Sequence, residues 1–183
     1  MEIKLTQTKR TDARLLERMS VHYSKPKGFV GRNICYAIED NEGNYYGHIV
    51  AGSATLHLKG RHEFLGTTKK DLNSIVNNIF FNCKPVNNKY PIRNFTSEVV
   101  KLFVKRVIVD WQDKYKDKVV GVETLVEPPR TGELYIKAGF TVVGETLGFT
   151  CKRESGESTD NWSGRRVWNT KELRPKIVLC MKV

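Results

Sequence analysis

The sequence predicts one α/β domain over residues 1–183, a mixed sheet flanked by helices. Three observations carry this. Val99, Val100, Phe103, Val104, Val107, Ile108 and Trp111 recur at helical spacing and mark one long helix with an apolar face. Asn41-Glu42-Gly43-Asn44 joins two β-rich runs as a hairpin turn. In the second half, strand-like and helix-like segments alternate, the pattern of a mixed α/β sheet.

Element by element, Ile3 to Thr6 reads as a first strand, and Thr11 or Asp12 caps a helix over Ala13 to Met19. Ser24-Lys25-Pro26-Lys27-Gly28 breaks the chain. Asn33 to Asp40 and Tyr45 to Leu58 form the hairpin, with Gly47 and Gly52 marking bulges or a close approach by another group. Leu72 to Cys83 holds a buried strand, Ile75-Val76-Asn77-Asn78-Ile79-Phe80-Phe81. A loop from Lys84 to Arg93 contains Pro85 and Pro91. The long helix covers Asn94 to Tyr115, with Asn94 or Thr96 as its cap and Glu98 in its first turn. Val119 to Val126 is a strand, and Pro128-Pro129 ends it. Thr131 to Ala138 is a short helix stopped by Gly139, followed by a strand from Phe140 to Thr146. Arg153 to Arg166 reads as an exposed polar loop, and Lys176 to Val183 as a closing strand. The order is β-α-β-β-β-α-β-α-β-β.

The chain carries 31 Lys and Arg against 20 Asp and Glu, a formal charge of +11. That balance favours a polyanionic partner: nucleic acid, an anionic cofactor or an acidic membrane surface. Lys25, Lys27, Arg32, Lys59, Arg61, Lys69 and Lys70 make the first half basic. Lys152, Arg153, Arg165 and Arg166 form a second group beside Trp162 and Trp168, a mixture able to neutralise phosphates and stack an extruded base. An apolar content of 39% and a mean hydropathy of −0.45 fit a soluble protein. No apolar signal region follows Met1, and no window reaches the roughly 20 apolar residues of a membrane helix. Cys35, Cys83, Cys151 and Cys180 stand far apart, so reduced thiols and a cytoplasmic location are expected. His48, His57 and His62 lack metal-ligand spacing with one another or with the cysteines, and no metal site is predicted.

The residues with chemical potential are few. Arg93-Asn94-Phe95-Thr96-Ser97 opens the long helix, where free N–H groups, a guanidinium and two hydroxyls could hold phosphate. The alternative is an ordinary cap. His22, beside the Gly/Pro break, could act as a base. Glu123, on a predicted strand, could accept a proton from an amine or simply face solvent. Asn77 and Asn78 lie on the central strand, where buried polar side chains need partners and could orient a substrate or a water.

The unit Leu134-Tyr135-Ile136-Lys137-Ala138-Gly139-Phe140, running into Thr141 to Thr146, resembles the end of the acyl-CoA-binding core of the GNAT N-acyltransferases. That resemblance implies a GNAT-like fold, acetyl-CoA as co-substrate and Tyr135 as the acid that protonates the leaving thiolate. GNAT enzymes carry a glycine-rich turn before the long helix, and this chain has none. Read with Arg93-Asn94-Phe95-Thr96-Ser97 and Glu123-Thr124-Leu125-Val126, the unit is similar to the phage Mom family of DNA-modifying acyltransferase-like proteins. Glu133 stands where that family has threonine, and Lys137 lies one place from its arginine. His22-Tyr23, Ile75-Val76-Asn77-Asn78, Asp110-Trp111 and Glu123-Thr124-Leu125-Val126 resemble elements of bacterial anti-phage proteins of the Druantia type.

These resemblances imply transfer of an acyl-derived group from acetyl-CoA to an amine of a DNA base, adenine in the Mom case, protecting phage DNA from nucleases. They imply Tyr135, His22, Glu123 and Asn78 as catalytic residues. Arg93, Asn94, Thr96 and Ser97, with Tyr135, would bind the cofactor. Three alternatives stay open: an N-acetyltransferase acting on a protein or small-molecule amine, a non-catalytic DNA-binding module on the same scaffold, and an inhibitor of a host defence.

Overall fold

The computed structural model describes residues 2–24, 26–56, 58–153, 166–169 and 173–183, with the side chains of 150–153 and 166–169 left out. The second basic group expected from the sequence (Lys152, Arg153, Arg165, Arg166, Trp162, Trp168) therefore lies outside the described side chains, as do Lys25 and His57.

The predicted elements are present. They begin with β1 (Ile3–Thr8), α1 (Ala13–Ser20), β2 (Asn33–Asp40) and β3 (Tyr45–Ser53); two elements the sequence does not predict come next, α2 (Lys59–Leu65) and a 3-10 turn (Lys69–Ser74). There follow β4 (Ile75–Cys83), α3 (Phe95–Tyr115), β5 (Gly121–Val126), α4 (Glu133–Ala138) and β6 (Thr141–Glu145). The short strands β7 (Thr150–Arg153) and β8 (Arg166–Asn169) pair as a ribbon, and β9 (Ile177–Lys182) ends the chain.

Three differences from the sequence reading are local. The hairpin's second strand stops at Ser53, not Leu58, and Leu58 is instead the cap position of a helix over Lys59–Leu65. That helix gives little warning: its cap position is Leu58, with no side-chain hydrogen bond, and Gly60 follows at its start. Gly60 is there for docking, since a Cβ would lie 2.0 Å from the Val143 carbonyl oxygen. The stretch expected as one polar loop instead has strands at both ends. Residues Leu72–Ser74 belong to the 3-10 turn rather than to β4.

One seven-stranded sheet organises the molecule in the order β1-β2-β3-β4-β5-β9-β6. All its neighbours are antiparallel except β4 and β5. Helix α3 and α4 cover one face. There the apolar side of α3 (Val99, Val100, Phe103, Val107, Trp111) packs on Tyr36, Ile38, Ile49, Val76 and Val122 in the main core. Each such fully buried side chain contributes about 1.5–3 kcal/mol. Helix α1 covers the other face through Leu15 and Met19 on Cys35, Val50 and Phe80. Beside it α2 contacts β6 and β9.

A bulge sets the geometry of the centre. Val50 pairs with Phe80 and Ala51 with Asn78, so Ile79 is an extra residue in β4. The extra residue shifts the alternation by one, sending Phe80 to the α1 face and Phe81 to the α3 face. Gly52 makes room for it, since a Cβ there would sit 2.6 Å from the Ile79 side chain. Gly47 also permits a close approach, its Cβ position lying 2.0 Å from the Asn82 carbonyl oxygen.

Candidate active site

β4 and β5 pair in parallel from Ile75–Gly121 to Asn78–Thr124. Beyond that point β4 continues on β3, while β5 continues on β9. Among the described residues no strand takes up the β5-facing edge of Ile79 to Cys83. A cleft of about 950 Å³ fills this divergence. A free edge of that kind offers backbone N–H and C=O groups to an extended ligand.

His22, Asn78, Thr96 and Tyr135 all line the cleft. Helix α4 places Tyr135 there. Gly132 and Gly139, at φ 74° and 104°, bound a helix of 6 residues, a start and a stop suited to glycine. Tyr135 is 6% exposed and its hydroxyl donates to Asn78 Oδ1 at 2.6 Å. The Asn78 amide is itself fixed, because Nδ2 donates to the Val50 and Phe80 carbonyls at 3.1 and 3.0 Å across the bulge. Thr124 Oγ1 donates to the Asn78 carbonyl at 3.2 Å. Asn78 thus holds the bulge with its nitrogen and the tyrosine with its oxygen. Burial pushes the Tyr135 hydroxyl above the ordinary tyrosine value, so it stays protonated at neutral pH.

His22 sits at the edge of β4, its ring tilted against those of Phe80 and Tyr23 at separations of 4.7 and 4.3 Å. Its Nδ1 accepts from the Ser24 N–H at 3.3 Å and lies 2.8 Å from Ser24 Oγ. Burial lowers its pKa below the usual histidine value, so the ring is neutral at pH 7. Arg130 lies over the Tyr23 ring at 3.6 Å, which places a cation at the cleft wall.

The start of α3 explains the missing glycine turn. Asn94 takes the left-handed conformation, φ 58°, which asparagine tolerates better than most residues. Its carbonyl accepts from the Ser97 and Glu98 N–H groups at 3.0 and 3.1 Å and from Ser97 Oγ at 2.8 Å. The Ser97 hydroxyl is therefore turned back on the helix, and Ser97 is only 3% exposed. Of the residues expected to bind cofactor here, Thr96 faces the cleft, while Arg93 and Asn94 are exposed beside it.

Glu123 departs most from the sequence reading. It is fully buried on the opposite face, where Oε2 accepts from Arg61 Nη1 at 2.7 Å and Oε1 from the Thr55 N–H at 2.6 Å. A carboxylate held in a buried ion pair is not a free base. The same pair withdraws Arg61 from the expected basic surface. Arg32 is also engaged, by Asp117 and by the rings of Trp111 and Tyr115. Lys27, Lys59, Lys69 and Lys70 remain exposed. Sequence reasoning misses Thr55 and Arg130. It reads Arg61 only as surface charge, because the partner lies 62 residues away along the chain.

Residues 1–135 match the family described as Druantia protein DruA. The chain belongs to that family. Comparison with curated proteins returns no match. Among solved structures, the aminoglycoside acetyltransferase AAC(6')-Ib in complex with coenzyme A and kanamycin superposes with a TM-score of 0.58 at 13% identity, over 99% of this chain and 95% of that one. A Bacillus subtilis acetyltransferase in complex with CoA gives 0.58 at 12% identity, over 100% and 99%. Mutant forms of the Vibrio cholerae spermidine/spermine N-acetyltransferase SpeG give 0.51 at 10% identity, over 99% and 95%. This member of the DruA family thus has the fold of the GNAT acetyltransferases, with β9 inserted between β5 and β6.

Proposed function

We propose that the protein is an N-acyltransferase that takes an acyl group from acetyl-CoA and places it on an amine of a DNA base. One observation carries this reading. The parallel strands part at Asn78 and Thr124, at the same level as the buried Tyr135 hydroxyl. The open edge of β4 suits the amide-bearing arm of CoA, and the first turn of α3 suits its pyrophosphate, with Thr96 facing in and Arg93 alongside. Structural neighbours described as complexes with CoA support the cofactor.

In the reaction the amine nitrogen attacks the thioester carbonyl carbon and the C–S bond breaks. The nitrogen loses one proton and the thiolate gains one. Tyr135, protonated but of raised pKa, supplies a hydrogen bond to the developing thiolate more readily than a complete proton. To do so its O–H turns from Asn78 Oδ1 towards the sulfur. The net charge of +11 and the similarity to the Mom family support a DNA acceptor, with adenine as the base.

The test is to incubate protein, acetyl-CoA and DNA, digest the DNA, and separate the nucleosides by mass spectrometry. An acylated deoxyadenosine that depends on acetyl-CoA is the expected result. Acetyl-CoA turnover on spermidine with unmodified nucleosides would move the reading to small-molecule amines. DNA binding with a steep salt dependence, and no acetyl-CoA binding, would leave only a DNA-binding module.

A further inference from the structure

Asn77 and Asn78 are neighbours on β4 with opposite hydrogen-bond accounts. Every polar atom of the Asn78 side chain has a partner. Asn77 is 6% exposed, lines the cleft, and donates from Nδ2 to Thr55 Oγ1 at 2.8 Å. Its Oδ1 is buried without a partner, one of four such side-chain atoms among the described residues. A buried polar atom left unpaired is costly, and replacing it with an apolar group of the same shape relieves that cost.

The surroundings of this oxygen are well defined. Asn77 is paired with Glu123 at the last but one rung before β4 and β5 part, on the face away from Tyr135. Thr55 holds it there and is itself fixed at both backbone atoms, its N–H by Glu123 at 2.6 Å and its carbonyl by Arg61 at 2.6 Å. Thr55 also lines a second cavity, about 670 Å³, between α2 and the β6 region. The two cavities share Thr55, Leu125 and Lys176 in their walls. A buried ion pair thus fixes Thr55, one of the three residues that stand between a cleft on the tyrosine side and a cavity on the α2 side.

Resting on the acyltransferase reading, we infer that Asn77 Oδ1 receives an N–H of the acceptor amine. The amine enters by the cavity beside α2 and meets the thioester at the Thr55–Asn77 wall. Asn77 accepts one N–H and so aims the nitrogen lone pair at the carbonyl carbon. Arg61 and Glu123 act through Thr55 as positioning residues. An amine fits the site because the unpaired atom is an acceptor and needs a donor. When the N–C bond forms and the C–S bond breaks, the nitrogen sheds one proton to water and the departing thiolate takes up one.

The experiment compares the wild type with the double variant Thr55→Val, Asn77→Leu, which replaces both hydrogen-bond partners by apolar groups of similar shape. Melting temperature, acetyl-CoA affinity by calorimetry, and acylation of an adenine-containing oligonucleotide are measured. The expected result is an equal or higher melting temperature, an acetyl-CoA Kd within about twofold, and a kcat/KM for the oligonucleotide lower by about tenfold or more. A fall in melting temperature of about 3 °C or more would show that Asn77 serves the fold, and would overturn the inference. Unchanged acylation would overturn it equally. A wild type that fails to bind acetyl-CoA removes the acyltransferase reading itself, and the inference with it. A wild type that binds acetyl-CoA while the variant melts early removes only the role of Asn77.

Discussion

The two faces of the central sheet are built on different principles. The α3 face is a continuous apolar core running from Leu5 to Leu179, with Phe103, Val107 and Trp111 at its centre. Its polar contacts at the cleft, Asn78 with Tyr135 and Thr124, are satisfied. The α1 and α2 face holds two small apolar clusters, one under each helix. Between and around them are buried Glu123, Arg61, His48 and Asn77. Hydrophobic burial stabilises the first face. The second is held in part by groups that stabilise only while their partners remain. On the reading proposed above, the tyrosine side is the scaffold for the thioester and the other side the lining for the acceptor.

The largest expected effect breaks the ion pair. Arg61→Met leaves Glu123 buried and unpaired and should cost about 3–5 kcal/mol, read as a drop in the urea midpoint. Adding Glu123→Leu to that variant should recover most of the loss. A double variant no more stable than the single one would contradict the role assigned to the pair.

On the other face, Tyr135→Phe keeps the ring and removes one hydroxyl. It should lower acetyl-CoA turnover by about a hundredfold. Its stability cost should be only about 1–2 kcal/mol, because Asn78 Oδ1 loses its donor. If turnover survives and only stability falls, the tyrosine belongs to the scaffold alone.

A smaller effect appears with pH. His48 is fully buried between Tyr45 and Thr8, its Nδ1 2.6 Å from the Tyr45 hydroxyl. Burial lowers its pKa from 6.5 to about 4. The unfolded chain therefore binds the proton first, so this group's stabilisation is complete above about pH 6.5 and is lost as pH falls towards about 4. Urea midpoints measured across that window should slope downward in the wild type and more weakly in His48→Gln. Equal slopes would show that His48 is not such a group.

The smallest effect is at the α3 start. Asn94→Gly should be close to neutral, and Asn94→Ala should cost about 1 kcal/mol, since alanine resists the left-handed backbone. Equal stabilities would mean that Asn94 is not standing in for a glycine turn.

Much of this was legible in the sequence, for physical reasons. The α3 apolar spacing, the Gly139 stop and the hairpin turn are local signals, and each is where it was expected. Tyr135, His22, Asn78 and Thr96 also stand out in the sequence, and the fold brings them to one cleft. What the sequence hid was non-local or unsignalled. Helix α2 lacks a side-chain cap, so nothing local marks Lys59–Leu65 as a helix. The Ile79 bulge is a mismatch between two strands, visible only once Ala51 is seen opposite Asn78. Glu123 looks like a possible base because nothing near it in sequence announces Arg61. Ser97 looks like a phosphate ligand because its hydroxyl's return to Asn94 needs the left-handed turn to be known first.

The most direct measurement is a crystal structure of the protein soaked with acetyl-CoA. Density should run along the open edge of β4, with the pyrophosphate at the first turn of α3 near Thr96 and the thioester sulfur within hydrogen-bond reach of the Tyr135 hydroxyl. An empty cleft, or acetyl-CoA bound elsewhere on the surface, would contradict the acyltransferase assignment.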